Sequence, residues 1–307
     1  MPIAIGVDIG GSHISCAAVE MRTSEIIDQT YCQENVDSKA EKEVILECWG
    51  NCINRVLELL GDSDIIGIGF AMPGPFRYKD GIAMFEVNDK FEALYKVSVA
   101  QELPKYLDHK NLPLRFFNDA SSFGIGSMLA GGFDTKSKVL ALTLGTGFGA
   151  AFFEDEYPLI NAKHVPENGC LWDKQFKDSI ADDYFSTRWF LQEFENEYGQ
   201  IPLDGVKGLV EVDSAKAKSL FEKFTKNFVA FTIPYLQAFK PDILIIGGSI
   251  AKSSHLFLED LEEMLIQNDL HVQIKIIPNT EQANIIGASH TFNPNFWGKI
   301  KDKLPNI

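Results

Sequence analysis

An α/β fold in two units is predicted, first because a β-β-β-α-β-α order runs along the chain twice, near 3–107 and near 138–267. Glycine-rich turns close strands in both runs, and beyond those turns the two share no sequence identity. Size agrees. The chain has 307 residues, 45% of them hydrophobic, which exceeds the ~150 typical of one domain and supplies apolar mass for two cores.

The elements follow in order. Residues 3–8 and 13–19 read as buried strands joined at Gly10-Gly11, and 25–31 as a third, so the chain opens on an antiparallel meander. Residues 38–60 carry a long helical pattern. Ser38 suits its cap, with Glu41 three residues on, and Gly61 ends it. Another buried strand spans 64–70 before Met72-Pro73-Gly74-Pro75 breaks the chain. Residues 76–97 mix aromatic and polar residues without a period, and 99–107 looks helical. A short apolar strand, 114–117, ends at Asn118-Asp119, and 120–129 is a small-residue helix stopped by Gly131-Gly132. Strands at 138–144 and 150–153 bracket Gly145-Thr146-Gly147-Phe148-Gly149. Helices occupy about 180–199 and 213–239, where Phe221, Phe224 and Phe228 recur at core spacing. Residues 242–246 form a strand, Gly247-Gly248-Ser249 opens a further helical region, 271–277 is the last strand, and 282–290 a helix.

Bulk composition narrows the partners. A net charge of −15 repels nucleic acid and anionic membrane. It does not exclude a nucleotide, because a local nest of N–H groups or a cation overrides the global field. The five cysteines are Cys16, Cys32, Cys48, Cys52 and Cys170, an odd number without a CxxC pair, as expected of reduced thiols in a cytoplasmic protein. Cys48 and Cys52 share a helix face and are either metal ligands or ordinary half-buried thiols; no further clustered Cys or His accompanies them. The start, Met1-Pro2-Ile3-Ala4-Ile5, has no basic region and runs straight into a strand, against a signal peptide. No apolar run reaches ~18 residues, so no membrane-spanning helix is expected.

Four short motifs carry chemistry. In Asp8-Ile9-Gly10-Gly11-Ser12, backbone N–H groups of the glycines can approach a phosphate with no Cβ in the way. Ser12 adds a hydroxyl, and Asp8 can hold the water shell of Mg²⁺. Read alone, the same residues make an ordinary Gly-Gly hairpin. Gly145-Thr146-Gly147-Phe148-Gly149 is followed by a strand, not a helix, against a dinucleotide fingerprint, and GxxxxGK[ST] is absent. A β-hairpin cradling phosphate fits instead. Asp119 suits either a helix N-cap or a general base at a strand end, and Asn118 can donate and accept at neighbouring hydroxyls. Gly247-Gly248-Ser249 is either a helix-entry turn or a place for a flat base or ribose to lie on backbone. Two phosphate-approaching loops with carboxylates suggest phosphoryl transfer from a nucleotide.

Taken in order, Gly6-Val7-Asp8-Ile9-Gly10-Gly11-Ser12, Ala71-Met72-Pro73-Gly74-Pro75, Asn118-Asp119-Ala120, Leu144-Gly145-Thr146-Gly147-Phe148-Gly149 and Ile246-Gly247-Gly248-Ser249 resemble the actin-like ATPase fold. Within it they resemble the ROK family (repressors, open reading frames and kinases). The resemblance covers residues 3 to about 290. It implies two actin-like ATPase (ribonuclease-H-like) domains flanking a nucleotide and sugar cleft. One domain is expected at 1–117 and one at 118–290, with a C-terminal helix about 291–307 packing back onto the first. It also implies an ATP-dependent hexose or N-acetylhexosamine kinase, glucokinase-like and homodimeric, using ATP and Mg²⁺. Carried over by position, Asp8, Gly10, Gly11, Ser12, Gly145, Thr146 and Gly147 would meet phosphates and Mg²⁺, and Gly247 and Gly248 the adenosine. Asp119 would be the base, and Gly74, Asn88, Asn118 and Glu167 would bind sugar.

One stretch departs from the family. Where it has Gly-Glu-x-Gly-His, this chain has Pro166-Glu167-Asn168-Gly169-Cys170, and residues 171–182 lack the cysteines of a CxCGxxGC run. No zinc is therefore expected, since one Cys cannot make a four-ligand site. Asp183 stands where the family has a second sugar-binding Glu. His164 and Lys163 either compensate for the missing His or are surface loop residues, and Cys170 takes its place in the sequence. Two rivals remain: a polyphosphate-using glucokinase, and a catalytically silent sugar sensor. The Asp8 motif begins too early for a winged-helix domain before it, and the charge is wrong for DNA.

Overall fold

The computed structural model describes residues 1–86, 90–134, 136–199 and 205–305. Its first sheet grows from β1 (Ile3–Ile9), which pairs antiparallel with β2 (His13–Glu20) through the Gly10-Gly11 turn. β2 pairs in turn with β3 (Glu25–Ile26) and β4 (Cys32–Asn35). The single strand expected at 25–31 is thus split by a 3-10 turn, Asp28–Thr30. The cause is Thr30, whose hydroxyl accepts from the Ala18 amide at 2.9 Å and donates to the Ile27 carbonyl at 2.6 Å in place of ladder bonds.

Helix α1 (Lys42–Leu60) buries Ile45, Trp49, Cys52, Ile53 and Val56 along one stripe. It starts after Ser38, with Glu41 at the N-cap and no side-chain cap bond. Asp37 explains the delay: its carboxylate accepts from the Lys39 amide and its carbonyl from the Ala40 amide, closing a turn first. β5 (Ile65–Met72) then runs parallel to β1. A ribbon of β6 (Phe76–Arg77) and β7 (Ile82–Ala83) lies in the stretch that showed no period, where Phe76, Tyr78, Phe85 and Phe91 are buried. α2 (Val99–Glu102) continues as a 3-10 turn to Tyr106. β8 (Leu114–Asn118) lies parallel to β5, and α3 (Asp119–Gly131) follows at once. The order is β3-β2-β1-β5-β8.

The second sheet repeats this wiring. β9 (Val139–Leu144), β10 (Phe148–Glu154) and β11 (Tyr157–Leu159) form an antiparallel meander. A ribbon of β12 (Gln175–Phe176) and β13 (Ser179–Ile180) leads into α4 (Ala181–Tyr184), α5 (Thr187–Tyr198) and α6 (Gly205–Val212). The long α7 (Ser214–Phe239) is capped by Asp213, which accepts from the Ala215 and Lys216 amides. β14 (Ile243–Gly247) lies parallel to β9, a 3-10 segment and α8 (Leu258–Gln267) follow, and β15 (Gln273–Ile276) lies parallel to β14. The order, β11-β10-β9-β14-β15, has the same senses as the first sheet. Phe221, Phe224 and Phe228 are core residues of this unit.

The chain closes with α9 (Thr280–His290) and α10 (Pro294–Ile300). Both belong to the first unit, which comprises Met1–Asp134 with Glu281–Ile307; the second is Thr135–Thr280. The boundaries expected at 117/118 and 290/291 are therefore corrected: α3 and α9 both go with the first sheet. Close packing is the reason. A Cβ on Gly6 or Gly69 would collide with the α9 backbone at Ile285 or Ala288. Gly126 of α3 meets the Ala283 carbonyl in the same way, and Gly287 of α9 meets that of Ser122. α10 packs Phe296 edge-on to Phe117, while Arg115 stacks over Trp297. Among the described residues no helix is long and apolar enough to cross a membrane.

Candidate active site

In the first unit three parallel strands end side by side. Register sets Asp8 beside Ala71 and Met72 beside Asn118. Asp8, Gly74 and Asn118-Asp119 therefore gather at the C-terminal edge of the sheet, where α/β folds place their sites. Asn88 lies outside the described residues.

Asn118, not Asp119, is the N-cap of α3: its Oδ1 accepts from the Ser121 amide at 3.0 Å. Its Nδ2 donates to Asp119 Oδ1 at 3.0 Å and to the Tyr78 hydroxyl at 3.2 Å. Tyr78 in turn donates to the Met72 carbonyl at 3.1 Å, so the β5 end orients the Asn118 amide. Asp119 is the first helical residue, and its Oδ1 also accepts from the Ala120 amide at 2.8 Å. Burial pushes its carboxyl up to about 6, against the pull of those donors.

Asp8 is buried at the end of β1, and Asn284 Nδ2 donates to its Oδ1 at 2.9 Å. Burial, then the charges of Asp119 and Glu281, raise its carboxyl to about 8, while Asn284 and His13 act the other way. The Asn284 Oδ1 is buried without a hydrogen-bond partner among the described residues. A buried carboxylate beside an orphaned carbonyl oxygen suits a hard cation with oxygen ligands, so the residues fit Mg²⁺. The same residues hold no group of three or more His, Cys, Asp or Glu able to bind a metal, and Mg²⁺ needs only one or two carboxylates.

Beside this pair, Glu281 is a hub. Its Oε2 accepts from Tyr31 at 2.8 Å and from Gln33 and Ser15 at 3.2 Å each, and its Oε1 lies 3.4 Å from His13 Nε2. The His13 contact, followed by the Tyr31 and Ser15 bonds, holds its carboxyl down to about 2 against burial. At the Gly10-Gly11 turn, a Cβ on Gly11 would fall on Lys90 Nζ, so a cation lies against the proposed phosphate loop. Ser12 is exposed, with its hydroxyl 3.4 Å from His13 Nδ1.

In the second unit, parallel pairing of β9 with β14 sets Gly247 beside Thr143 and brings two glycine loops together. Gly145, Thr146 and Gly147 form the tip of the β9–β10 hairpin, closed by the Gly145 amide on the Gly147 carbonyl at 3.1 Å. Gly248, at φ +96°, presses on the Leu144 backbone where any Cβ would clash. Its amide donates to Thr280 Oγ1 at 2.7 Å.

The acid at the hairpin is Asp182, which accepts from the Phe148 amide at 2.6 Å and pairs with Arg188. Asp183 is instead exposed and accepts from the Ser179 hydroxyl. Glu167, in a 3-10 turn, is exposed, as are Lys163 and His164. Cys170 is buried with its thiol toward the Glu167 carbonyl and Asp173, and burial pushes it up to about 11. The sequence reading missed Asn284, Glu281, Tyr78, Lys90 and Asp182.

A model of the ROK family matches residues 4–293. A glucokinase from Thermotoga maritima is 24% identical over 322 residues, 96% of this chain and 98% of its own length. An N-acetyl-D-glucosamine kinase from Haemophilus influenzae is 29% identical over 285 residues, 82% of this chain and 86% of its own. Among solved structures, a ROK family glucokinase from Streptomyces griseus in complex with glucose and AMPPNP superposes with a TM-score of 0.71 at 18% identity, covering 94% of this chain and 98% of that one.

Proposed function

The chain belongs to the ROK family, with its actin-like ATPase fold, and from that premise we propose that it is a sugar kinase moving the γ-phosphoryl group of ATP to a hexose or N-acetylhexosamine hydroxyl. The observation that carries this reading is Asp119: a half-buried carboxylate at the C-terminal edge of parallel strands, its Oδ1 fixed by two donors and its pKa raised to about 6. A general base works best when poised near the working pH. The two donors leave Oδ2 to accept the proton as the sugar oxygen forms its bond to the γ-phosphorus and the bond to the bridging oxygen of ADP breaks.

Asp8 and the Asn284 Oδ1 would hold Mg²⁺, which when bound neutralises charge on the phosphate oxygens. Gly10, Gly11 and Ser12, with Lys90 beside them, are assigned to phosphates, as are Gly145, Thr146 and Gly147. Gly247 and Gly248 are assigned to the adenosine, with Gly248, at φ +96°, presenting backbone without a side chain. Asn118 is assigned to a sugar hydroxyl through the second lone pair of its Oδ1, since Asp119 and Tyr78 take both Nδ2 hydrogens; Gly74, Asn88 and Glu167 complete the sugar set. Asp183, whose carboxylate accepts from the Ser179 hydroxyl, is assigned to the sugar with them.

The test is ADP release with Mg·ATP across a panel of hexoses and N-acetylhexosamines, run beside Asp119→Asn. Sugar-dependent release is expected, with kcat lowered by about 10²–10⁴ in the variant and sugar KM changed only a few-fold. Near-normal turnover in Asp119→Asn removes it as base. Nucleotide binding without release for any sugar turns the reading to another phosphate donor or to a sugar sensor.

A further inference from the structure

Three of the five cysteines meet on the face of the first sheet that packs against α1. Cys16 and Cys32 are directly opposed across the β2–β4 ladder. Cys52 reaches them from α1, with its Sγ 3.3 Å from that of Cys16 and 3.4 Å from that of Cys32. Cys16 and Cys52 are fully buried, whereas Cys32 is half-buried on a short strand that, among the described residues, pairs only with β2. Arg55, one helical turn beyond Cys52, interacts with the Cys32 sulfur and pairs with Glu34. It also lines a surface pocket of about 260 Å³ together with Glu34, Glu47 and Cys48. Of the two cysteines expected on one helix face, Cys52 is fully buried in this cluster, whereas the half-buried Cys48 points its thiol to the Asn35 carbonyl at 3.4 Å.

We propose that Cys32 is an oxidant-modifiable thiol and Cys52 its resolving partner, the two closing to a disulfide between β4 and α1 when a small hydroperoxide reaches the sheet edge. The sulfurs already touch, so side-chain rotation brings them to bonding distance. The Cys16 and Cys52 thiols beside it, together with Arg55, pull the Cys32 thiol down to about 6 against burial, whereas burial raises Cys48 and Cys170. In the first step the Cys32 thiolate attacks the O–O bond. The S–O bond forms, the O–O bond breaks, sulfur gives up two electrons, and the leaving alkoxide or hydroxide takes a proton to become alcohol or water. In the second step Cys52, losing its proton to the departing hydroxyl, attacks the sulfenic sulfur. The S–S bond forms, the S–O bond breaks, and water leaves. Two thiols and one hydroperoxide become one disulfide, one alcohol or water, and one water.

The full-length, reduced protein tests this. At pH 6, iodoacetamide should label Cys32 about tenfold faster than Cys48 or Cys170, since its thiolate fraction outweighs its lower intrinsic nucleophilicity. Limiting hydrogen peroxide should yield a Cys32–Cys52 cross-linked peptide by mass spectrometry, retained in Cys48→Ser. In Cys52→Ser, a dimedone adduct should accumulate at Cys32 instead. The alkylation rates are read on the unaltered chain, so the idea remains exposed even if Cys52→Ser does not fold. It is overturned by labelling of Cys48 or Cys170 as fast as Cys32. Peroxide that leaves Cys32 reduced, or bridges another pair, overturns it too.

Discussion

Asp8 is buried and Asp119 half-buried at the same sheet edge, and the Asp119 charge raises the cost of ionising Asp8. In the absence of a cation, Asp119 holds its proton below about 6. A base must be ionised to act, so activity should be full above that value and lost as pH falls through it. At limiting Mg·ATP, kcat/KM for sugar should fall about tenfold per pH unit below about 6. A bound cation favours the charged form, so saturating Mg·ATP should move this limb to lower pH. A pH–rate series at two nucleotide concentrations checks both parts; a limb that does not move would separate Asp119 from the cation. The placement of Asp8 and Asp119 at strand ends was legible because each stands in a motif beside glycine or asparagine. Asn284, which bonds Asp8 across 276 residues of sequence, was not. Its partner is fixed by the α9 packing, and no local pattern records such a contact.

At the scale of elements, α9 is held by absences of side chain. Gly126 of α3 lies against the Ala283 carbonyl, and Gly287 of α9 against that of Ser122. A methyl group there has only backbone to displace. Gly126→Ala should therefore destabilise the protein by about 1–3 kcal/mol, although alanine is the better helix former. Gly298, exposed inside α10 with nothing within 4 Å of an added Cβ, is the control. Gly298→Ala should be neutral or stabilise by up to about 1 kcal/mol. Urea melts of the two variants make the comparison; equal effects would mean that the α3–α9 crossing is looser than its geometry. These positions also mark what could be read beforehand. The first meander and the longer strands of both units came from periodicity and turns, whereas β11 and the two-residue ribbons, too short to show a period, did not. Assignment of α3 and α9 to the first unit depends on where small residues let two backbones approach. In sequence, Gly126 and Gly287 are simply glycines in helices.

Across the whole molecule, the balance of 28 Lys and Arg against 43 Asp and Glu bears on the donor that the proposed reaction would use. Mg·ATP presents a short, partly neutralised triphosphate, and a few amides with one nearby lysine suffice to receive it. Polyphosphate is a long polyanion with a charge on every unit. To be held, it needs a continuous basic track beyond the reacting group, and a chain at −15 repels it at every step of approach. The local cation at Gly11 can favour the terminal phosphates but cannot offset a field that acts on the remaining length. Replacing ATP by polyphosphate at equal terminal-phosphate concentration should therefore lower sugar phosphorylation by about two orders of magnitude or more at low salt. Added salt screens the repulsion, so any residual polyphosphate activity should rise with ionic strength while the ATP rate changes little. Sugar phosphate formation measured with both donors at low and moderate salt settles the matter. Comparable rates would mean that a basic path exists which the charge count conceals, and would move the donor assignment from ATP to polyphosphate.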